Sequence, residues 1–137
     1  MYTELITIAF VDILQRSYYY YMNLNYSNIT KWFFLHSIVN SIIVYYSLPD
    51  VYMCLSHTPE CYKIEWNNNS IKVYNYAIVL HIYHCLFFKL TKEDYLHHFL
   101  MVAICGTLCY IIQSIISSFA LLFLMGLPVL LIICYYI

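Results

Sequence analysis

The sequence predicts an all-α fold, a multi-pass transmembrane bundle of four to five helices built as a single membrane domain over residues 1–137. Three observations predict it. Hydrophobic residues make up 64% of the chain and charged residues 9%, whereas a soluble domain is about half apolar and about a quarter charged. The stretch Tyr95–Ile137 holds no Asp, Glu, Lys or Arg. Tyrosine, a residue favoured where membrane meets water, occurs 17 times. A core of this size cannot absorb so much apolar surface, so the bilayer is the natural solvent. A net charge of −1 excludes nucleic acid as a partner, because phosphates need clustered Lys and Arg.

The first span is expected at about residues 4–22. Asp12 and Arg16 lie at i,i+4 and can pair on one face. Glu4 and the lack of a basic leader argue against a cleavable signal peptide, so this span would itself direct insertion. A polar loop over 23–31 leads to a second span at about 32–48, which Pro49-Asp50 is expected to end. Residues 49–72 read as a polar loop with Cys54, Cys61 and a glycosylation sequon at Asn68; Asn25 and Asn28 head two more sequons. A third span is expected at about 73–89, and Lys89–Asp94 is a tight charged turn. As one helix, Tyr95–Ile137 would reach about 64 Å, against a hydrocarbon core of about 30 Å. It must turn back, and Gln113–Ser118 is its polar break, which gives spans at about 96–113 and 118–137. With five spans Arg16, Lys31, Lys89 and Lys92 share one side, cytosolic by the positive-inside rule. Cys54 and Cys61 then face an oxidising space where a disulfide can form.

The chemistry gathers around the fourth span. Ionisable residues inside membranes usually face protein and mark a working site. Counting outward from Thr91 across the turn sets His84 opposite His98, with His81 one turn deeper on the same face. Asp94 precedes His97 and His98 by three and four residues, within reach of either imidazole. His36 shares a face with Asn40 in the neighbouring span and is a candidate for the same cavity. Three readings stay open: a proton- or acyl-transfer site in which Asp94 orients a histidine, a metal site, and polar groups that hold helices together. The chain has six histidines, and His81-x-x-His84 is its one box-like spacing, so no metal is assigned and no cofactor is expected.

With those residues in view, the stretch Leu80–Tyr110, which contains HIYHCLFFKLTKEDYLHHFLMVAICGTL, resembles the short hairpin and HHxxM motif of the TLC-domain superfamily, which includes ceramide synthases and translocation-associated membrane proteins. Ser117–Pro128, SSFALLFLMGLP, resembles the phenylalanine-rich span of a subgroup that leads into a GLPGGIDY-like motif. The resemblance implies a partial version of a barrel of about six helices around a lipid-sized cavity. It implies a protein that binds or senses lipid in an intramembrane groove, with the His pair at its cytosolic end, in the endoplasmic reticulum or another internal membrane. His97, His98 and Asp94 would be the catalytic candidates, and His84, His81, His36, Gly126 and Pro128 would line the groove. The alternative is a lipid N-acyltransferase like the ceramide synthases, with His97 or His98 as base or acyl carrier and acyl-CoA as co-substrate. A C-terminally shortened, inactive homologue is a further alternative. Membrane lipids are the expected partners, and small groups at Gly106 and Gly126 suggest closure by homo-oligomerisation.

Overall fold

A computed structural model describes residues 1–25, 27–57 and 59–121 of the chain. Gly126, Pro128, Cys134 and most of the expected last span lie outside the described residues. Within them the protein is helical, with α1 (Tyr2–Tyr21), α2 (Asn28–Ser56), a 3₁₀ turn (Glu60–Lys63), α3 (Asn68–Phe87), α4 (Lys92–Phe99), a π-helical segment (Leu100–Gly106), α5 (Thr107–Ile112) and α6 (Ile115–Leu121). The only strand-like pairing among the described residues is an isolated bridge between Glu65 and Ser114. The long α2 and the continuous run Lys92–Ile112 are apolar enough to cross a membrane.

Helix α3 is the axis of the bundle. It packs against α1, α2, α4, the π-helical segment and α6. One apolar cluster joins Ile8 of α1, the i,i+4 stripe Leu35, Val39 and Ile43 of α2, Val73, Tyr76, Ala77, Val79, Leu80 and Tyr83 of α3, and Leu121 of α6. Polar side chains are buried beside it. Glu4, Asp12 and Gln15 of α1 face inward while Ile6, Phe10, Ile13 and Leu14 face out. Asn40, Ser47 and Asp50 of α2 are completely buried. Along α4–α5, Leu96, Phe99, Ile104, Leu108, Ile111 and Ile112 are exposed. Apolar side chains thus cover much of the outer surface, while the interior combines the apolar cluster with buried polar groups.

Two inter-helix bonds fix the register of α1 on α3. Asn75 Nδ2 donates to Glu4 Oε1 at 3.4 Å, and Tyr83 Oη donates to Asp12 Oδ2 at 2.8 Å. Both pairs are 71 residues apart in sequence, so the two helices run parallel. The expected Asp12–Arg16 pair forms, with Arg16 Nε 2.9 Å from both carboxylate oxygens. Gln15 Nε2 reaches the Lys31 carbonyl at 2.9 Å and ties α1 to the start of α2.

The expected polar loop over 49–72 is a correction. Pro49 does not end the second span; α2 runs through it to Ser56. A proline removes one backbone bond from a helix interior, but Asp50 beside it supplies tertiary bonds. Its carboxylate accepts from Asn67 Nδ2 at 2.6 Å and Ser70 Oγ at 2.7 Å. Those two residues are the capping box of α3, which therefore starts at Asn68 rather than near 73. A disulfide joins Cys54 to Cys61 and folds the short connection back on the end of α2.

The reversal near Gln113 occurs as expected. Gln113 has φ 47°, in the left-handed region, and α6 begins two residues later. Trp66 holds this corner, its indole Nε1 donating to the Ser114 carbonyl at 2.9 Å. The turn at Lys89–Thr91 is likewise present, so α3 and α4 form a hairpin. Gly106 is buried, and a Cβ placed there would come within 2.6 Å of Ile78 Cδ1, so its smallness serves contact with α3.

Candidate functional site

The candidate site is the histidine cluster at the α3–α4 hairpin. Helix α3 carries His81 and His84 on its buried face, three residues apart, and both are almost fully buried. The turn brings α4 back antiparallel, and a capping box at Thr91 and Asp94 starts that helix. His97 and His98 then fall in its last turn, His98 buried and His97 exposed.

Across the hairpin His84 Nδ1 lies 2.7 Å from His98 Nε2, the pairing that counting outward from the turn predicts. His81 Nε2 lies 3.4 Å from His97 Nε2. The Ala77 carbonyl, 2.7 Å from His81 Nδ1, can only accept, so that nitrogen carries the proton and His81 Nε2 presents a lone pair. His36 joins the edge of the group, its ring 6.3 Å from that of His81, with Nδ1 3.4 Å from Asn40 Nδ2. One nitrogen from each of His81, His97 and His98 lies within 4.8 Å of the other two, so these three residues could hold a metal ion.

Asp94 does not orient an imidazole. Its Oδ2 accepts from Thr91 N at 2.9 Å and Thr91 Oγ1 at 3.0 Å, and so it closes the cap of its own helix. The physical reason is local. Thr91-x-x-Asp94 has capping-box spacing, and orphan N–H groups at a helix start draw the carboxylate more readily than a ring one turn away.

Trp32 is a site residue that the sequence reading misses. Its ring stacks on His84 with centroids 3.5 Å apart and planes 10° apart, and it also meets the edges of Phe88 and His98. A tryptophan four residues before His36 on α2 offers the available signal, since i,i+4 neighbours share a face.

Two spaces adjoin the cluster. In front lies a cleft of about 490 Å³, walled by Ile29, Trp32, Phe33 and Phe88 and edged by His84, Lys89 and Asp94. Behind it, bounded by His81, Ile78, Met101 and Gly106, is a void of about 10 Å³, room for about one water. The imidazoles therefore meet each other on the inner side, while His84 edges the outer cleft and His97 is exposed.

The sites expected at Gly126 and Pro128 lie outside the described residues. No protein-family model, no curated protein and no solved structure matches the chain.

Proposed function

We propose that the chain is a TLC-like multi-pass protein of an internal membrane, such as the endoplasmic reticulum, that binds or senses lipid at the histidine end of its bundle. The cleft between Trp32 and the α3–α4 turn carries this reading. Its wall is aromatic and aliphatic, which suits an acyl chain, and its rim holds Lys89 and Asp94, charges of both signs that suit a zwitterionic headgroup. The apolar outer surface and the polar groups buried in α1, α2 and α3 support insertion of all its long helices, α1 and α3 included.

Orientation follows from the two ends. Arg16 lies over the Phe88 ring, and Gln15 bonds to the Lys31 carbonyl, so Arg16, Lys31, Lys89 and Lys92 gather at the histidine end. Lys63 and Lys72 belong to the disulfide end, with Asp50, Glu60 and Glu65. The positive-inside rule then sets the histidine end in the cytosol and the Cys54–Cys61 bridge in an oxidising lumen.

The acyltransferase alternative has less behind it. It needs a histidine held by a carboxylate and a cavity reaching the pair. Asp94 is engaged by Thr91, and the space behind His81 is about water-sized.

The test is photolabelling of the full chain in lipid nanodiscs with a phospholipid whose acyl chain carries a diazirine. The proposal predicts labels concentrated on α2 near Trp32 and on Phe88, reduced several-fold in Trp32→Ala with helicity unchanged. Labels spread evenly over the outer face, and unaffected by that substitution, would contradict it.

A further inference from the structure

We infer that His81, His97 and His98 form a three-imidazole site for Zn²⁺, with a fourth position left to water or an incoming ligand. The inference concerns the inner side of the cluster and does not rest on the lipid reading.

The first observation is spacing. Two nitrogens bound to a tetrahedral Zn²⁺ at about 2.0–2.1 Å stand about 3.3–3.4 Å apart. His81 Nε2 and His97 Nε2 are 3.4 Å apart, long for a hydrogen bond but suited to two ligands of one ion. One nitrogen of each of the three residues lies within 4.8 Å of the others, so the wider edges of this triangle must close by up to about 1.4 Å to reach the ligand spacing of a bound ion.

The second observation is an orphan. His98 is 4% exposed, and its Nδ1 is buried without a hydrogen-bond partner among the described residues. A buried ring nitrogen left unpaired costs free energy. Coordination removes that cost, since a neutral imidazole protonated on Nε2 has its lone pair on Nδ1.

The third observation is the support behind the ligands. Metal-binding histidines commonly donate their other ring N–H to a fixed acceptor, which sets the tautomer. His81 donates from Nδ1 to the Ala77 carbonyl, leaving Nε2 free to ligate. His98 Nε2 lies 2.7 Å from His84 Nδ1, and with His98 as the donor of that bond its Nδ1 keeps the lone pair that ligation needs. Trp32, stacked on His84, holds that second ring in place. For His97, binding requires a shift of its proton from Nε2 to Nδ1, with no net change in proton count.

The donor set selects the ion. Imidazole suits Zn²⁺, whereas Mg²⁺ and Ca²⁺ need oxygen ligands. Asp94, one of two carboxylates on the same helix with Glu93, is turned to Thr91.

The experiment uses the full chain in nanodiscs, stripped with a chelator and titrated with Zn²⁺ against a chromophoric indicator. Co²⁺ serves as the optical reporter of coordination geometry. One equivalent of Zn²⁺ per chain is expected, with tetrahedral Co²⁺ absorption. His97 is exposed, so His97→Ala leaves the fold intact and is the decisive variant. Removing a ligand exceeds the effect of a supporting group, so His97→Ala should weaken binding by more than about 100-fold, and His84→Ala by about 10–100-fold. His57→Ala, at the opposite end of α2, should change nothing. Failure to bind one equivalent, or binding that His97→Ala leaves unchanged, overturns the site. A chain that takes the photolabel but no Zn²⁺ overturns this inference alone, and one that takes Zn²⁺ but no photolabel overturns the lipid reading alone.

Discussion

His84 Nδ1 and His98 Nε2 face each other at 2.7 Å across the α3–α4 hairpin. One imidazole must donate and the other accept, so the pair holds the two helices at fixed depth without a net charge. Replacing His84 by alanine leaves a second nitrogen of buried His98 without a partner. A loss of about 1–3 kcal/mol is expected, read by urea or SDS titration of the purified chain. His84→Gln, which keeps a polar group near the same place, should recover part of it.

Asp50 is the clasp at the opposite end. It is fully buried and takes hydrogen bonds from Asn67 and Ser70, the two residues that cap α3. Asp50→Ala should cost about 1.5–3 kcal/mol for each strong charged hydrogen bond lost. Asp50→Asn, which keeps one acceptor oxygen, should cost less. Melts of the three proteins in one detergent check the ranking.

Tyr83 Oη on Asp12 Oδ2 joins α3 to α1. For helices in a bilayer, as proposed above for α1 and α3, such a side-chain hydrogen bond is worth about 0.6–1.7 kcal/mol. Tyr83→Phe should lose that much, and Asp12→Ala should lose more because Arg16 is then unpaired. A double-mutant cycle measures the coupling directly.

Gly106 touches α3 where a methyl group would meet Ile78. Gly106→Val should destabilise by about 1–3 kcal/mol through overpacking. Ile78→Ala in the same chain should recover part of the loss, since it empties the space that valine needs. A Gly106→Val chain as stable as the parent would place this glycine on an outer face.

Much of this arrangement is legible in the sequence because it depends on counting. The turn at Lys89–Asp94 fixes where α3 ends and α4 begins, and a rise per residue then sets His84 opposite His98. The Asp12–Arg16 pair and the reversal at Gln113 follow from similarly local rules. What was not legible depends on partners far along the chain. Pro49 looks like a stop until Asp50 is seen reaching Asn67 and Ser70, bonds that span 17 and 20 residues. Asp94 reads as a partner of the histidines in the sequence because spacing alone cannot choose between a ring one turn on and a cap three residues back. Trp32 comes from another helix and meets His84 only after α2 and α3 have packed.

The two ends also make a topology prediction. Asn68 lies beside the disulfide end, and Asn25 and Asn28 lie at the other. With the histidine end cytosolic, Asn68 is the one sequon of the three open to luminal glycosylation. Asn68→Gln should remove the glycan from protein made in microsomes, and Asn28→Gln should not.

The account rests on imidazoles of α3 and α4 meeting inside the bundle. The full chain, labelled with ¹⁵N-histidine in lipid bilayers, allows solid-state NMR to read nitrogen–nitrogen coupling through a hydrogen bond. A cross-peak between His84 Nδ1 and His98 Nε2, lost in either alanine variant, is the predicted result. Absence of that coupling, with both rings contacting lipid acyl protons instead, would contradict the account.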